Sequence, residues 1–242
     1  MEPTILILLV VVAFGTAIIS GIIGMGGGIL LLATLVSFLP PIVAIPLHGV
    51  IQIASNGSRV VVQRRHIEIR IAGAFAILIL PGAFLGYLVL TSVPETVAST
   101  ALGVFILGAV WLRLPVPQRS RSVRRRFLVL GGAAGIANTS LGSSGPLIAP
   151  FFLDLGLTRH EIIGTKAACQ AQGHLAKIIV FGIAGFAWSQ YSLLLGLTII
   201  AVIAGTVVGS RILDRVNERT FVVLYKLTLT LIAVRMILVQ LV

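Results

Sequence analysis

Apolar residues along this chain do not alternate with polar ones. They run on in long stretches, broken by short glycine-rich or basic interruptions. Half-buried strands would alternate and a spanning barrel would repeat that alternation in short pieces. Continuous runs near the roughly 20 residues that cross a bilayer predict helices instead. The pattern predicts ten segments, at about 4–20, 29–39, 43–63, 71–90, 95–112, 127–139, 146–155, 158–184, 190–210 and from the last charged turn to near 242. Pro81-Gly82 predicts a kink in the fourth, and Thr158 with Glu161 forms a capping box at the start of the eighth.

The second and seventh segments are short. Helices of about ten residues rise roughly 15 Å, half of a hydrocarbon core about 30 Å thick. Each follows a small-residue break: GIIGMGGG at 21–28 and SLGSSGP at 140–146. The prediction is a hairpin that enters and leaves on one side, with its break deep in the membrane.

The two halves, 1–120 and 121–242, repeat this order of elements. Segment three carries His48, Gln52, Asn56 and Arg59; segment eight carries Lys166, Gln170, His174 and Lys177. Both sets are spaced i, i+4, i+8, i+11, one face of a helix. Each half crosses an odd number of times, so the halves are inverted. The loops agree, since wherever one half has arginines the matching loop of the other has none. Inverted repeats with broken helices are a transporter architecture.

Composition adds to this picture. The chain has 242 residues, 57% hydrophobic and 10% charged, with mean hydropathy +1.11, beyond what one soluble core of this length absorbs. The net charge of +11 raises nucleic acid as a partner. The arginines, however, concentrate in short connections at 59–70, 113–126 and 211–219. That is the positive-inside distribution, and nucleic acid is set aside. The basic loops face the cytoplasm, which places both termini outside a bacterial-type plasma membrane. Met1-Glu2-Pro3 lacks the basic region of a cleaved signal. The single cysteine, Cys169, excludes an internal disulfide and reads as a small buried hydrophobe.

Polar side chains in an apolar helix face a cavity or the bundle interior. Gln52 and Gln170 fall near the midplane, where both short helices begin. Helix N-termini present free N–H groups and the positive end of a dipole, and small residues let an anion approach the backbone. The candidate anion site is therefore Gly26, Gly27, Gly28, Gln52, Asn56, Arg59, Asn138, Ser143, Ser144, Gly145, Gln170, His174 and Lys177. Among these, His174 is the candidate for proton coupling. By this placement the inner site holds no acid, which favours an anion over a cation.

Plainer roles compete. The amides also suit bundle glue and the glycines packing; Arg59 and Lys177 have the option of snorkelling to the interfaces. His48 and Lys166, nearer the ends, read as gate or surface residues, and His66 and His160 as solvated. Trp111, Trp188 and Tyr191 read as interfacial anchors. No metal cluster, P-loop or hydrolase elbow is present, and GMGGG lacks the βαβ unit of a nucleotide site. The reading is of no enzyme and no cofactor.

GIIGMGGGILL with PLHGVIQIASNGSR, and GSSGPLIAPFFLDLGLTRHEIIGTKAACQAQGHLAK later, resemble the two blocks of the TauE/SafE sulfite exporter family. The resemblance spans nearly the whole chain and implies a plasma-membrane permease for sulfite, sulfonates or other organic anions. SLGSSGP does not repeat GMGGG, so the two breaks are expected to contribute differently. The expected protein is an all-α polytopic membrane protein, a secondary exporter of small sulfur-containing anions working by alternating access. Its expected partners are the anion, the bilayer, a coupling proton or sodium ion, and a second copy in a homodimer. A passive anion channel and a membrane anchoring subunit are the alternatives.

Overall fold

The computed structural model describes residues 2–23, 27–112, 122–152 and 155–212, and in the C-terminal stretch residues 227, 230, 231, 233, 234, 237 and 238. Every regular element among them is helical. In chain order they are α1 (Pro3–Ile23), α2 (Gly27–Val36), α3 (Pro41–Val62), α4 (Ile69–Ser92), α5 (Glu95–Trp111), α6 (Val123–Ser140), α7 (Gly145–Ile148), α8 (Arg159–Ile183) and α9 (Ser192–Ile212). Short 3-10 turns occupy Arg64–His66, Ala149–Phe152 and Trp188–Tyr191. The tenth segment falls mostly outside the described residues, and those described within it are helical.

Local chemistry sets most boundaries. Pro41 opens α3 at a position where its missing N–H costs no bond. At α8 the capping box is complete: Thr158 N donates to Glu161 Oε2 at 2.8 Å and Glu161 N donates to Thr158 Oγ1 at 3.3 Å. Ser122 Oγ accepts from Arg125 N, so α6 starts earlier than its apolar run and takes in Arg124, Arg125 and Arg126. The seventh segment departs most from expectation. Its α-helical part is one turn, Gly145–Ile148, continuing as 3-10. Pro150 has no N–H to donate back to Pro146, so the i→i−4 series fails one turn after it begins.

Glycines decide which helices meet. A Cβ on Gly82 or Gly86 of α4 would run into the carbonyl oxygens of Gly132 and Ile136 on α6. One on Gly131 or Gly135 of α6 would meet those of Phe75 and Ile79 on α4. The same contact recurs where Gly205 and Gly209 of α9 lie on the Phe14 and Ile18 carbonyls of α1. Four-residue spacing of small residues lets helix backbones touch, the usual mode of association where lipid removes the hydrophobic drive. The Pro81-Gly82 pair belongs to this seam, and α4 continues through Pro81.

Helices α3 and α8 form the centre. Gly49 of α3 lies beside Lys177 of α8, and Gln63 beside Gly164, so the two run antiparallel. One core cluster joins α4, α6 and α8 through Phe75, Phe127 and Cys169, with Phe152 beside them. Another joins α1, α2, α3 and α9 through Leu9, Leu31, Leu47 and Val202. The outward faces stay apolar: Ile77, Phe84 and Leu88 on α4 and Leu193 and Ile200 on α9 are exposed. Pro3–Gly21, Ile69–Ser92 and Trp188–Gly209 are long and apolar enough to cross a membrane. Helix α3 carries a polar face instead, as befits a bundle interior.

The glycine seams predict a contrast. Gly135→Leu, driven against the α4 backbone, is expected to destabilise the protein by at least about 1–3 kcal/mol. Gly73→Ala, with open space around it, is expected to be neutral or to stabilise by up to ~1 kcal/mol. Thermal unfolding of the detergent-solubilised variants measures both.

Candidate functional site

The polar face of α3 is buried throughout: His48, Gln52, Asn56 and Arg59 are all less than a tenth exposed. Its side chains order one another. Arg59 Nη2 donates to Asn56 Oδ1 at 2.9 Å. Asn56 Nδ2 donates to the Gln52 carbonyl at 3.0 Å and reaches Gln52 Oε1 at 3.4 Å. The Gln52 carboxamide so held lies flat against Gly28, its Nε2, Cδ and Oε1 all within 3.1–3.4 Å of where a Cβ would be.

The second half presents the same pair. A Cβ at Gly145 would sit 3.0 Å from Gln170 Nε2. Gly145 N donates to Ser143 Oγ at 3.4 Å, and Ser144 occupies the N-cap without a side-chain cap bond. At each break, therefore, an amide donor from the central helix faces the first turn of a short helix. The two ends are unequal: a helix of four residues has little macrodipole. At the second break the Gln170 amide, the serine hydroxyls and local N–H groups are the donors, in place of the full helix end that the apolar run predicts.

Lys177 does not snorkel. It is fully buried and its Nζ donates to the Gly142 carbonyl at 3.0 Å. Its stem passes α3 at Gly49, where a Cβ would lie 2.7 Å from Lys177 Cε. Gly142, at φ +74°, is left-handed, and a Cβ there would meet Leu32 of α2 at 2.7 Å and Ile45 of α3 at 3.2 Å. The second break thus rests on the first hairpin and is held there by the Lys177 side chain from α8.

His48 and Lys166 are buried, 1% and 5% exposed, and are not surface residues. His48 Nε2 lies 2.8 Å from the Gly28 carbonyl, and its ring meets that of His174 edge to face at 5.4 Å. Lys166 is within Coulombic reach of Arg59. Asn138 is wholly buried beside Gly173, and both ends of its carboxamide lack a partner among the described residues. Gly27 faces the Thr16 carbonyl and Ser20 Oγ of α1, so packing of the first hairpin alone requires a glycine there. Gly26 lies outside the described residues. His66 and His160 are exposed, as predicted, and pack on each other at 5.3 Å. Trp111, Trp188 and Tyr191 lie at helix ends: Trp111 Nε1 donates to Thr230 Oγ1 at 3.0 Å, while Trp188 and Tyr191 pack on Phe186.

Two contributors are not legible in the sequence. Gly49 and Gly142 carry no chemical signal of their own, being defined by what passes close to them. His48 had the signal, since it shares the helical face of Gln52. Among the described residues the buried polar set contains Arg, Lys, His and amides but no carboxylate, and no cluster of His, Cys, Asp or Glu could hold a metal.

Apolar outward faces, broken helices and a buried polar seam define a helical, multi-pass membrane protein of the transporter class. The chain belongs to the sulfite exporter TauE/SafE family, whose sequence model matches residues 9–236. The family is one of membrane transporters, not of enzymes. No curated protein and no solved structure matches the chain.

The lysine clasp predicts a local effect. A hydrogen bond to a charged donor is worth about 1.5–3 kcal/mol. Lys177→Met is therefore expected to speed amide hydrogen exchange across 141–145 roughly ten- to hundredfold. Gly49→Val, which blocks the path of the lysine stem, is expected to reproduce part of that change.

Proposed function

We propose that this protein is a secondary exporter of small sulfur-containing anions, such as sulfite or organosulfonates, with the anion held between the two helix breaks. The observation that carries the reading is the matched placement of the Gln52 carboxamide against Gly28 and of the Gln170 carboxamide against Gly145. Each half brings one amide donor to a break where small residues leave the backbone open. An oxyanion accepts from amides and N–H groups on all sides. The positive charge of Lys177, Arg59 and Lys166, with no buried carboxylate beside it among the described residues, favours negative charge at the centre. Family membership supports the substrate class.

The inverted repeat, with halves at 1–120 and 121–242, is part of the proposal. Exchanging the halves turns the α4–α6 seam into the α9–α1 seam, with Gly82 and Gly86 answering to Gly205 and Gly209. The central α3–α8 pair maps onto itself. In such an arrangement one half rocks against the other about a fixed site. Gly28, Gln52, Asn138, Ser143, Ser144, Gly145, Gln170 and His174 would line it. Asn56 and Arg59 orient Gln52, and Lys177 fixes the second break. The loops carrying Arg64, Arg65 and Arg70 would face the cytoplasm.

The test is anion binding and flux together. Sulfite and organosulfonates are expected to raise the melting temperature of the purified protein and to exchange across proteoliposomes. Gln52→Ala and Gln170→Ala are each expected to weaken binding about tenfold, the loss of one hydrogen bond to a charged group. Unaltered binding in the double variant would sink the site, and conductive flux without counter-exchange would favour a channel.

A further inference from the structure

His48 and His174 face each other at the core of the bundle, one from each half, with ring centroids 5.4 Å apart. They are 1% and 4% exposed. The Nδ1 of each is buried without a hydrogen-bond partner among the described residues. The tautomer of His48 follows from its other nitrogen. Nε2 lies 2.8 Å from the Gly28 carbonyl, and a carbonyl oxygen only accepts, so Nε2 carries the hydrogen. In the neutral ring Nδ1 is then a bare lone pair, enclosed in the protein with no donor on it.

The surroundings make this nitrogen consequential. From α8 it is faced by His174 and by Lys177; Arg59 lies further along its own helix and within Coulombic reach of His174. From α2 comes the Gly28 carbonyl, and from the second break the Gly142 carbonyl, which Lys177 also holds. No carboxylate belongs to the buried set among the described residues. A proton added here places positive charge beside Lys177, and no buried carboxylate among the described residues offsets it. Negative charge placed between the breaks does.

We propose that the His48–His174 pair is a proton-binding site and that its proton binds together with the substrate anion. The inference rests on the anion site described above. A proton from water on the open side adds to the Nδ1 lone pair of His48, while Nε2–H stays on the Gly28 carbonyl. When the site opens to the other side and the anion leaves, the imidazolium loses its counter-charge and the proton returns to water. By linkage, whatever the anion does for proton affinity the proton does for anion affinity. His48 ties this exchange to the Gly28 break, and with it to the hairpin that would move.

The experiment uses sulfate and methanesulfonate as probes, since neither titrates near neutral pH. Binding to the purified full chain is measured from roughly pH 6 to 8, the range in which histidine changes charge. Proton uptake is followed with an indicator dye in weak buffer. Wild type is expected to take up about one proton per anion, and its Kd to weaken toward tenfold per pH unit on the alkaline side. His48→Gln keeps an N–H donor for the Gly28 carbonyl but has no nitrogen to protonate. It is expected to bind the probes with a flat pH profile and no proton uptake. Binding to wild type that is independent of pH and takes up no proton would overturn the proton site while leaving the anion site standing. So would undiminished uptake in His48→Gln. If neither probe binds wild type at any pH, the anion site falls and the proton site with it. Should His48→Gln not fold, the wild-type pH profile decides the matter.

Discussion

The constraint on which the rest depends is the placement of strongly polar side chains at the centre of a bundle whose outside is hydrocarbon. A buried polar group left without a partner costs about 1–3 kcal/mol in a protein, and a charge at membrane depth costs more. Helices α3 and α8 nevertheless carry amides, histidines, Lys166, Lys177 and Arg59 inward. They do so by meeting each other. The arginine orders Asn56, Asn56 orders Gln52, and Lys177 reaches across Gly49 to the Gly142 carbonyl. Among the described residues, polar atoms left unpaired on Asn138, Thr139, His48, Gln172 and His174 lie on the same central helices and the helix beside them.

Everything around the seam serves to hold it at depth. The glycine contacts of α4 with α6 and of α9 with α1 bring backbones together tightly enough to exclude lipid. Each pair shares a core cluster with a central helix, α8 on one side and α3 on the other. The short helices are then pinned by their neighbours instead of by their own length. Gly27 is locked against α1, and Gly142 rests on Leu32 and Ile45. Two segments too short to span a membrane thereby end beside the two glutamines. Their helix-end charges matter less at the second break than donors supplied from α8.

Much of this was legible in the chain. Continuous apolar runs gave the helices, the capping box at Thr158 gave the start of α8, and the i, i+4, i+8, i+11 spacing picked out the polar face that turns inward. Spacing works because a helix fixes which residues share a side, whatever packs there. The same spacing included His48 and Lys166, and reading them as surface residues misjudged depth: distance from a helix end says little when neighbouring helices extend past it. The seventh segment is α-helical for one turn only, since Pro150 ends the hydrogen-bond series that its apolar run suggests.

By itself the sequence determined the class of protein, the order of the described helices up to their ends, the family, and the polar residue types that the central helices carry. These follow from hydropathy and local hydrogen bonding, which are properties of adjacent residues. Only the tertiary structure decided which amide faces which break, that Lys177 serves a carbonyl and not the interface, and that His48 meets His174 across the two halves. Those contacts join residues more than a hundred positions apart in some cases, and their existence turns on glycines such as Gly49 and Gly142 whose only contribution is room. The close approach of two helices is set by the whole bundle's packing, and no stretch of chain encodes it alone.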